Sequence, residues 1–296
     1  MIPRAPRPPG PSAGETTTRP APPRGAWLRR AATGLAVALG GAARAEPGPR
    51  LGLPRDVSLD GHRIDGLIHV TLVLVGILFL AMVAWMLLAV IRHGPRHAAS
   101  RARGDSRRAA AGVLGLAAGI FLVVDGNLLV HAVDDLDHHF WNYAAAERTP
   151  GAVRIEIDAH QWAWAARYPG PDTKFNTEDD VVTLNDLRVP VGAPVILQIT
   201  STDVLHSLYL PNFRVKQDAV PGTVTRLWFQ AQEAGQFEIG CAQHCGPNHY
   251  KMRGTLTALP RDRFDAWADA ASEDARRGFD PEDAGARWGW EWRRFE

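Results

Sequence analysis

The sequence predicts a membrane-anchored all-β protein: a two-helix transmembrane hairpin, then a Greek-key β-sandwich of about 110 residues, then a short C-terminal helix. Three observations carry that expectation. Two long apolar runs lie in the first half, with an arginine-rich stretch between them. From Ala152 onward the apolar residues fall into short alternating runs separated by Gly- and Pro-containing turns. The charge divides in the same place: residues 1–149 carry 17 basic and 11 acidic side chains, and residues 150–296 carry 16 and 21. A basic membrane-proximal half and an acidic globular half make a basic protein the expected partner, and nucleic acid is not expected.

Residues 1–26 are rich in Pro, Arg and Gly, a composition that builds no core. Arg29-Arg30, the Ala/Leu/Val run Ala31–Ala43 and the small exit Ala43-Arg44-Ala45 read as a secretory signal cleaved after Ala45. Residues 1–45 are therefore expected to be a disordered N-terminus with a signal peptide; a first transmembrane helix is the other reading, but the run is short for a bilayer. The hairpin is expected over residues 60–134. Its first helix, about 67–91, is almost continuously apolar, with no polar face at helical spacing. Arg92, Arg96, Arg101, Arg103, Arg107 and Arg108 then crowd a loop opposed only by Asp105, which the positive-inside rule places in the cytoplasm. The second helix, about 109–133, returns the chain to the outer face. Asp125 and His131 lie towards its outer end. Inside the bilayer they would be candidates for a proton path; if the helix leaves the bilayer near Val124, both sit in the headgroup region. Asp134 to Glu147, with Asp137-His138-His139, reads as a polar linker.

The β-domain is expected over residues 150–260. Val153–Ala159 alternates strictly, as a half-buried strand does. Asn185–Val189, Pro194–Thr200, Thr223–Gln230, Gln236–Gly240 and Arg253–Leu259 are further β-like runs, divided by turns such as Pro169-Gly170-Pro171, Val191-Gly192 and Pro221-Gly222. Residues 261–296 form a C-terminal helix and tail. Phe264, Trp267, Ala268, Ala271 and Ala275 recur at three- and four-residue steps, and the tail ends in Trp288-Gly289-Trp290-Glu291-Trp292, suited to a membrane interface or a subunit contact. There is no Walker loop, Rossmann fingerprint or nucleophile elbow, and no Cys-x-x-Cys-His for covalent haem.

The chemistry concentrates in Gly240–Met252, which holds both cysteines, two of the eleven histidines and one of the four methionines. Thiolate, imidazole and thioether together suit copper better than zinc or magnesium. Two cysteines in an exported chain also commonly form a disulfide. A single blue copper needs one Cys, whereas two thiolates can bridge two coppers, and that count requires a second histidine from elsewhere. His206, following a strand in Asp203-Val204-Leu205-His206-Ser207, is the candidate; a histidine in such a place is also often only solvated.

With His206 separated from Cys241 by 34 residues, and Cys241-x3-Cys245-Gly246-x2-His249-x2-Met252 behind it, the chain resembles subunit II of the haem–copper cytochrome c oxidases over roughly residues 60–270. The resemblance implies a cupredoxin-like sandwich and two copper ions in a dinuclear copper A centre. Cys241 and Cys245 would bridge both metals, His206 and Met252 would complete one, and His249 with the backbone carbonyl of Gln243 would complete the other. Gln161-Trp162-Ala163-Trp164 matches the family's aromatic entry motif. Trp162 is then where electrons arrive from cytochrome c, and His249 is the exit towards haem in subunit I, where oxygen is reduced to water with proton pumping. The implied enzyme is a proton-translocating terminal oxidase. The implied partners are subunit I, other oxidase subunits and cytochrome c. The implied place is a bacterial-type plasma (inner) membrane, crossed more than once, with the copper domain on the periplasmic face. The copper A subunit of a nitric oxide reductase, or a membrane-anchored copper-binding protein, are the alternatives. Several residues depart from the family pattern. Gln243 stands where a Glu usually helps bind magnesium at the subunit I interface, which weakens the expectation of that metal. Asp105-Ser106-Arg107-Arg108-Ala109 replaces a Trp-Thr-x-x-Pro segment, which weakens a role at a proton-channel mouth. Thr223 replaces the usual Arg after Pro221-Gly222, and His244 is expected to face a partner or solvent. The insertion Pro169–Val182, with Asp172, Glu178, Asp179 and Asp180, is expected either to steer a basic cytochrome c or to be a solvated loop.

Overall fold

The computed structural model describes residues 52–93, 106–280 and 282. The expected signal peptide, the loop arginines Arg96, Arg101 and Arg103, and the tryptophans Trp288, Trp290 and Trp292 lie outside the described residues.

Helix α1 (Gly61–Arg92) begins where Ser58 Oγ accepts the Gly61 N–H at 2.8 Å, meeting one of the donors that a helix start leaves open. Helix α2 (Arg107–Ile120) is capped by Ser106. Its axis continues through a π turn (Phe121–Asp125), α3 (Gly126–Asp135), a second π turn (Leu136–Phe140) and α4 (Tyr143–Arg148). The polar segment expected as a linker is thus mostly helical. It contains no proline or glycine to stop a helix, and Asp134 and His138 pair one turn apart at 3.1 Å. Both long helices are apolar enough to cross a membrane, and their apolar windows are not buried within the chain.

The ten strands are β1 (Val153–His160), β2 (Ala163–Tyr168), β3 (Val181–Leu184), β4 (Asp186–Pro190), β5 (Pro194–Ser201), β6 (His206–Leu210), β7 (Val215–Ala219), β8 (Thr225–Gln230), β9 (Gly235–Cys241) and β10 (Arg253–Leu259). They form two five-stranded sheets, in the orders β3-β2-β1-β5-β8 and β4-β10-β9-β6-β7, as the predicted sandwich requires. The alternation seen in the sequence supplies the core: Ile155, Ile157 and Ala159 of β1 pair in parallel with Leu197, Ile199 and Ser201 of β5, and all but the serine join the central apolar cluster. Each such Ile or Leu, once fully buried, contributes about 1.5–3 kcal/mol, so a strand of this pattern is held by its inward face.

Two pairings place the site. Leu208 of β6 lies opposite Cys241 of β9, so the strand that starts at His206 runs beside the strand that ends at the first cysteine. His206 itself pairs with Ala219 of β7. It follows β5 as expected and, after the turn over residues 202–205, itself opens β6. At the other end of the sheet, the insertion after β2 folds inward. Arg167, almost wholly buried, is bound by Glu156 and Asn176, with Asp180 3.7 Å away. Asp179 is 2% exposed and meets Thr177 and Arg276 of α5 (Arg261–Gly278). These two acids are internal anchors and face no partner; only Asp172 and Glu178 of the four remain at the surface. Helix α5 packs through buried Phe264 and through Trp267, which meets Tyr168 edge-on at 5.1 Å and lies under the Arg188 guanidinium.

The segment before α1 binds the sandwich. The Val57 N–H donates to the Asn212 carbonyl and the Leu59 N–H to the Gln230 carbonyl, and Val57 is buried in the core. Arg214 grips Asp65 of α1 with two nitrogens, at 2.7 and 3.0 Å.

Candidate metal centre

The loop after β9 turns back through a short 3-10 turn (His249–Lys251) into β10, and this return brings its sulfur groups beside His206 at the start of β6. The Cys241 and Cys245 sulfurs lie 3.8 Å apart as free thiols. Cys245 Sγ is 3.6 Å from His249 Nδ1 and 3.7 Å from Met252 Sδ. His206 Nδ1 is 3.1 Å from Met252 Sδ, and one donor atom each from His206, Cys241 and Cys245 lie within 4.8 Å of one another. The Gln243 carbonyl oxygen is 3.1 Å from Cys241 Sγ, while the Gln243 side chain is exposed. All six sequence-predicted metal residues therefore converge from two loops. His206, Cys245 and Met252 are buried, and Cys241 and His249 are half-buried.

The surroundings hold the imidazole of His206 in one orientation. Its Nε2 meets Asp203 Oδ1 at 2.9 Å, leaving Nδ1 aimed at the sulfurs, and Trp164 packs edge-on against the ring at 6.2 Å. This is the carboxylate–imidazole pairing that fixes a ligating histidine's tautomer. Burial opposes the charge of Asp203, but hydrogen bonds from His206, Val204 and Gln161 outweigh it and hold the carboxyl below its usual range. Burial also opposes a charged His206, and Cys241 with Asp203 outweigh it and raise the ring's pKa. Burial would raise Cys241 too, yet hydrogen bonds from His206 and from the backbone at Ser207 and Gln243 bring its thiol down to about 6. Burial and the adjacent Cys241 push Cys245 the other way. A set of three sulfurs and two imidazoles, buried on its inner side and with one thiol already poised to ionise, is a donor set for a soft metal ion.

Trp162 is half-buried beside this loop. A Cβ at Gly246 would lie 3.4 Å from Trp162 Cζ2 and 2.9 Å from Gln161 Nε2, and Gly246 takes φ +121°, so only glycine lets the loop close on the indole. Gln161 fastens the contact: its amide donates to the Cys245 carbonyl at 2.8 Å and its backbone N–H to Asp203 at 2.7 Å. His244 is exposed and stands edge-on to His249 at 5.5 Å. Sequence reasoning quoted Asp203, Gln161 and Gly246 as parts of motifs without giving them tasks. The spacing of Asp203 three residues before His206 was the available signal; the Gln161 and Gly246 contacts cross the fold and leave none.

Residues 153–258 match the family described as the periplasmic domain of cytochrome c oxidase subunit II. The alternative cytochrome c oxidase subunit 2 of Bradyrhizobium diazoefficiens is 30% identical over 230 residues, 70% of this chain and 79% of that protein. The cytochrome c oxidase subunit 2 of Alkalihalophilus pseudofirmus is 37% identical over 123 residues, covering 41% of this chain and 33% of that protein. Among solved structures, the periplasmic domain of subunit II of the cytochrome oxidase of Bradyrhizobium japonicum is 27% identical, with a TM-score of 0.37 over 41% of this chain and 94% of that one. A ten-strand sandwich behind two membrane-length helices, His206 meeting both cysteines with His249 beside Cys245, and a relative matched along most of its length agree: the chain belongs to the cytochrome c oxidase subunit II family.

Proposed function

We propose that the chain is the electron-entry subunit of a respiratory cytochrome c oxidase, taking electrons from cytochrome c at a dinuclear copper A centre and delivering them to haem in subunit I, where oxygen is reduced to water and protons are pumped. The convergence of Cys241, Cys245, His206, His249, Met252 and the Gln243 carbonyl carries this reading. Cys241 and Cys245 would bridge two coppers, with His206 and Met252 on one and His249 and the Gln243 carbonyl on the other. A copper pair so held supplies a one-electron acceptor whose charge is shared over metals and sulfurs.

The chain's own residues prepare that place. Asp203 and Trp164 hold the His206 ring before any metal arrives. Buried Met252 and Cys245 keep water from the inner side, so little solvent has to reorganise when charge changes there. Trp162, tied by Gln161 and seated on Gly246, is the entry point on one side of the cysteine loop. His249, half-buried beside exposed His244, is the exit. The exposed amide of Gln243 offers no charge to magnesium, so that ion is left out of the proposal. The arginine-rich loop between the helices supports a place for the domain on the outer, periplasmic face of a bacterial-type inner membrane.

The test is metal analysis and electron paramagnetic resonance of the full-length chain loaded with copper in detergent. Two coppers per chain with the spectrum of a shared unpaired electron are expected. One copper per chain would overturn the dinuclear assignment and favour a simple copper-binding protein.

A further inference from the structure

Asp125 lies in the second membrane-length helix, and the structure fixes its depth. Arg63 Nη1 and Asp135 Oδ1 meet at 3.0 Å, which sets those two residues level. Asp125 is ten residues along the helix from Asp135, about 15 Å further in at ~1.5 Å per residue. Leu67, where the apolar run of α1 begins, is only about 6 Å below Arg63 on the same rise. The apolar span of the hairpin therefore continues beyond Val124, and the carboxyl stands well inside it. Its neighbours Phe121, Leu122, Leu129 and Val130 are 60–68% exposed. Asp125 is itself exposed and has no hydrogen-bond or ion-pair partner among the described residues. It also closes the π turn Phe121–Asp125, where the Gly126 N–H reaches back to the Phe121 carbonyl. Such turns concentrate at functional positions.

Resting on the reading of this chain as one subunit of a membrane complex, we propose that Asp125 pairs with a basic side chain on a transmembrane helix of a partner subunit, packed against this face of the hairpin. A carboxylate at that depth faces protein and not lipid, because ionisable groups inside the hydrocarbon are almost always paired. Aspartate has too short a stem to reach the headgroups, as lysine or arginine does. A cation is preferred to a second copy of the chain as occupant, since two-fold contact at this residue would set carboxyl against carboxyl and force one of them to keep a proton.

Two experiments on the full-length chain test this. In the first, the tagged chain is co-expressed with the other oxidase subunits, and recovery of the haem-bearing subunit is measured after detergent extraction. Asp125→Leu and Asp125→Asn are expected to lower recovery severalfold, and Asp125→Glu to restore most of it. Full recovery with Asp125→Leu would overturn the pairing, and full recovery with Asp125→Asn would overturn its cationic character. The copper spectrum of each variant reports separately on the metal site, so failure of the pairing is distinguishable from failure of the electron-entry reading. The second uses the unmodified protein, so a variant that misfolds does not blunt it. Dicyclohexylcarbodiimide, which labels carboxyls in apolar surroundings, is expected to modify Asp125 in the isolated chain and to spare it in the assembled complex. Equal labelling in both would overturn the proposal.

Discussion

Cys241 and Cys245 are the same chemical group in the same loop, and their surroundings separate them. Cys241 is half-buried and takes hydrogen bonds from His206 and the backbone, which lower its thiol from the usual 9.0 to about 6; Cys245 is buried beside it and is shifted upward. In the metal-free chain at neutral pH, the first is a thiolate and the second a thiol. A group whose folded pKa is depressed adds stability that is full above its unfolded value and is lost as pH falls through the folded one. The Cys241 contribution is thus present near pH 9 and gone below about 6. Reactivity follows the same sign, because the thiolate is the nucleophile. Alkylation of the metal-free chain by iodoacetamide, mapped by mass spectrometry, is expected to modify Cys241 well ahead of Cys245 at pH 7, with a midpoint near 6. Equal rates, or a midpoint near 9, would show that His206 does not hold the thiolate. The structure brings His206 from the start of β6 to Cys241, Cys245, His249 and Met252, and that cluster of four was readable from spacing, since all recur within one loop. Asp203 and Gln161 were not, because their work depends on contacts between β1, the start of β6 and the cysteine loop.

At the scale of elements, strands were legible where one face is apolar and the other polar. β1 and β10 show the alternation plainly, whereas β2 hides it: Trp164 faces the core, and Arg167, a residue that normally marks a surface, is buried against Glu156. β3, β6 and β7 are four or five residues long, too short for a periodicity to stand out. The acids of the insertion misled for a related reason, since composition cannot show that Asp179 turns inward. There the Ser272 hydroxyl donates to its carbonyl, and Arg276 and Thr177 reach its carboxylate, joining α5 to the start of β3. Removing a buried acceptor of this kind costs about 1–3 kcal/mol. Asp179→Ala is expected to lower the unfolding temperature of the metal-free chain, followed by tryptophan fluorescence, while the copper spectrum stays unchanged. The register supports the second half: β2 pairs with β3 at Tyr168, the end of the strand remote from Trp162. A changed spectrum with an unchanged melting point would contradict the anchoring role.

For the molecule as a whole, the contact between hairpin and sandwich sets how far the candidate metal site stands from the apolar span of the hairpin. The end of the second helix contributes through the Tyr143 hydroxyl on the Arg226 carbonyl and the Glu147–Arg226 pair, and the first helix through one clamp. Arg214 grips Asp65 of α1 with two nitrogens, donates to the Pro211 and Pro54 carbonyls, and its own side chain is only 6% exposed. Its backbone takes φ +59°, the left-handed region that costs a residue with a Cβ and suits glycine. A residue kept in that conformation while its guanidinium reaches a helix start is placed for the clamp and not for local backbone ease. The two roles are separable by substitution. Arg214→Gly removes the clamp and relieves the backbone, so the sandwich is expected to keep its melting temperature and its copper. Electron delivery is expected to suffer, because transfer depends on a fixed distance between the centre and the partner subunit. Oxygen uptake by the assembled complex, driven by reduced cytochrome c, should therefore fall severalfold at unchanged copper content, and the segment 52–60 should become open to protease. If uptake is unchanged, the backbone pairs of Val57 and Leu59 and the Tyr143 and Glu147 contacts with Arg226 hold the domain, and the Arg214–Asp65 grip adds little.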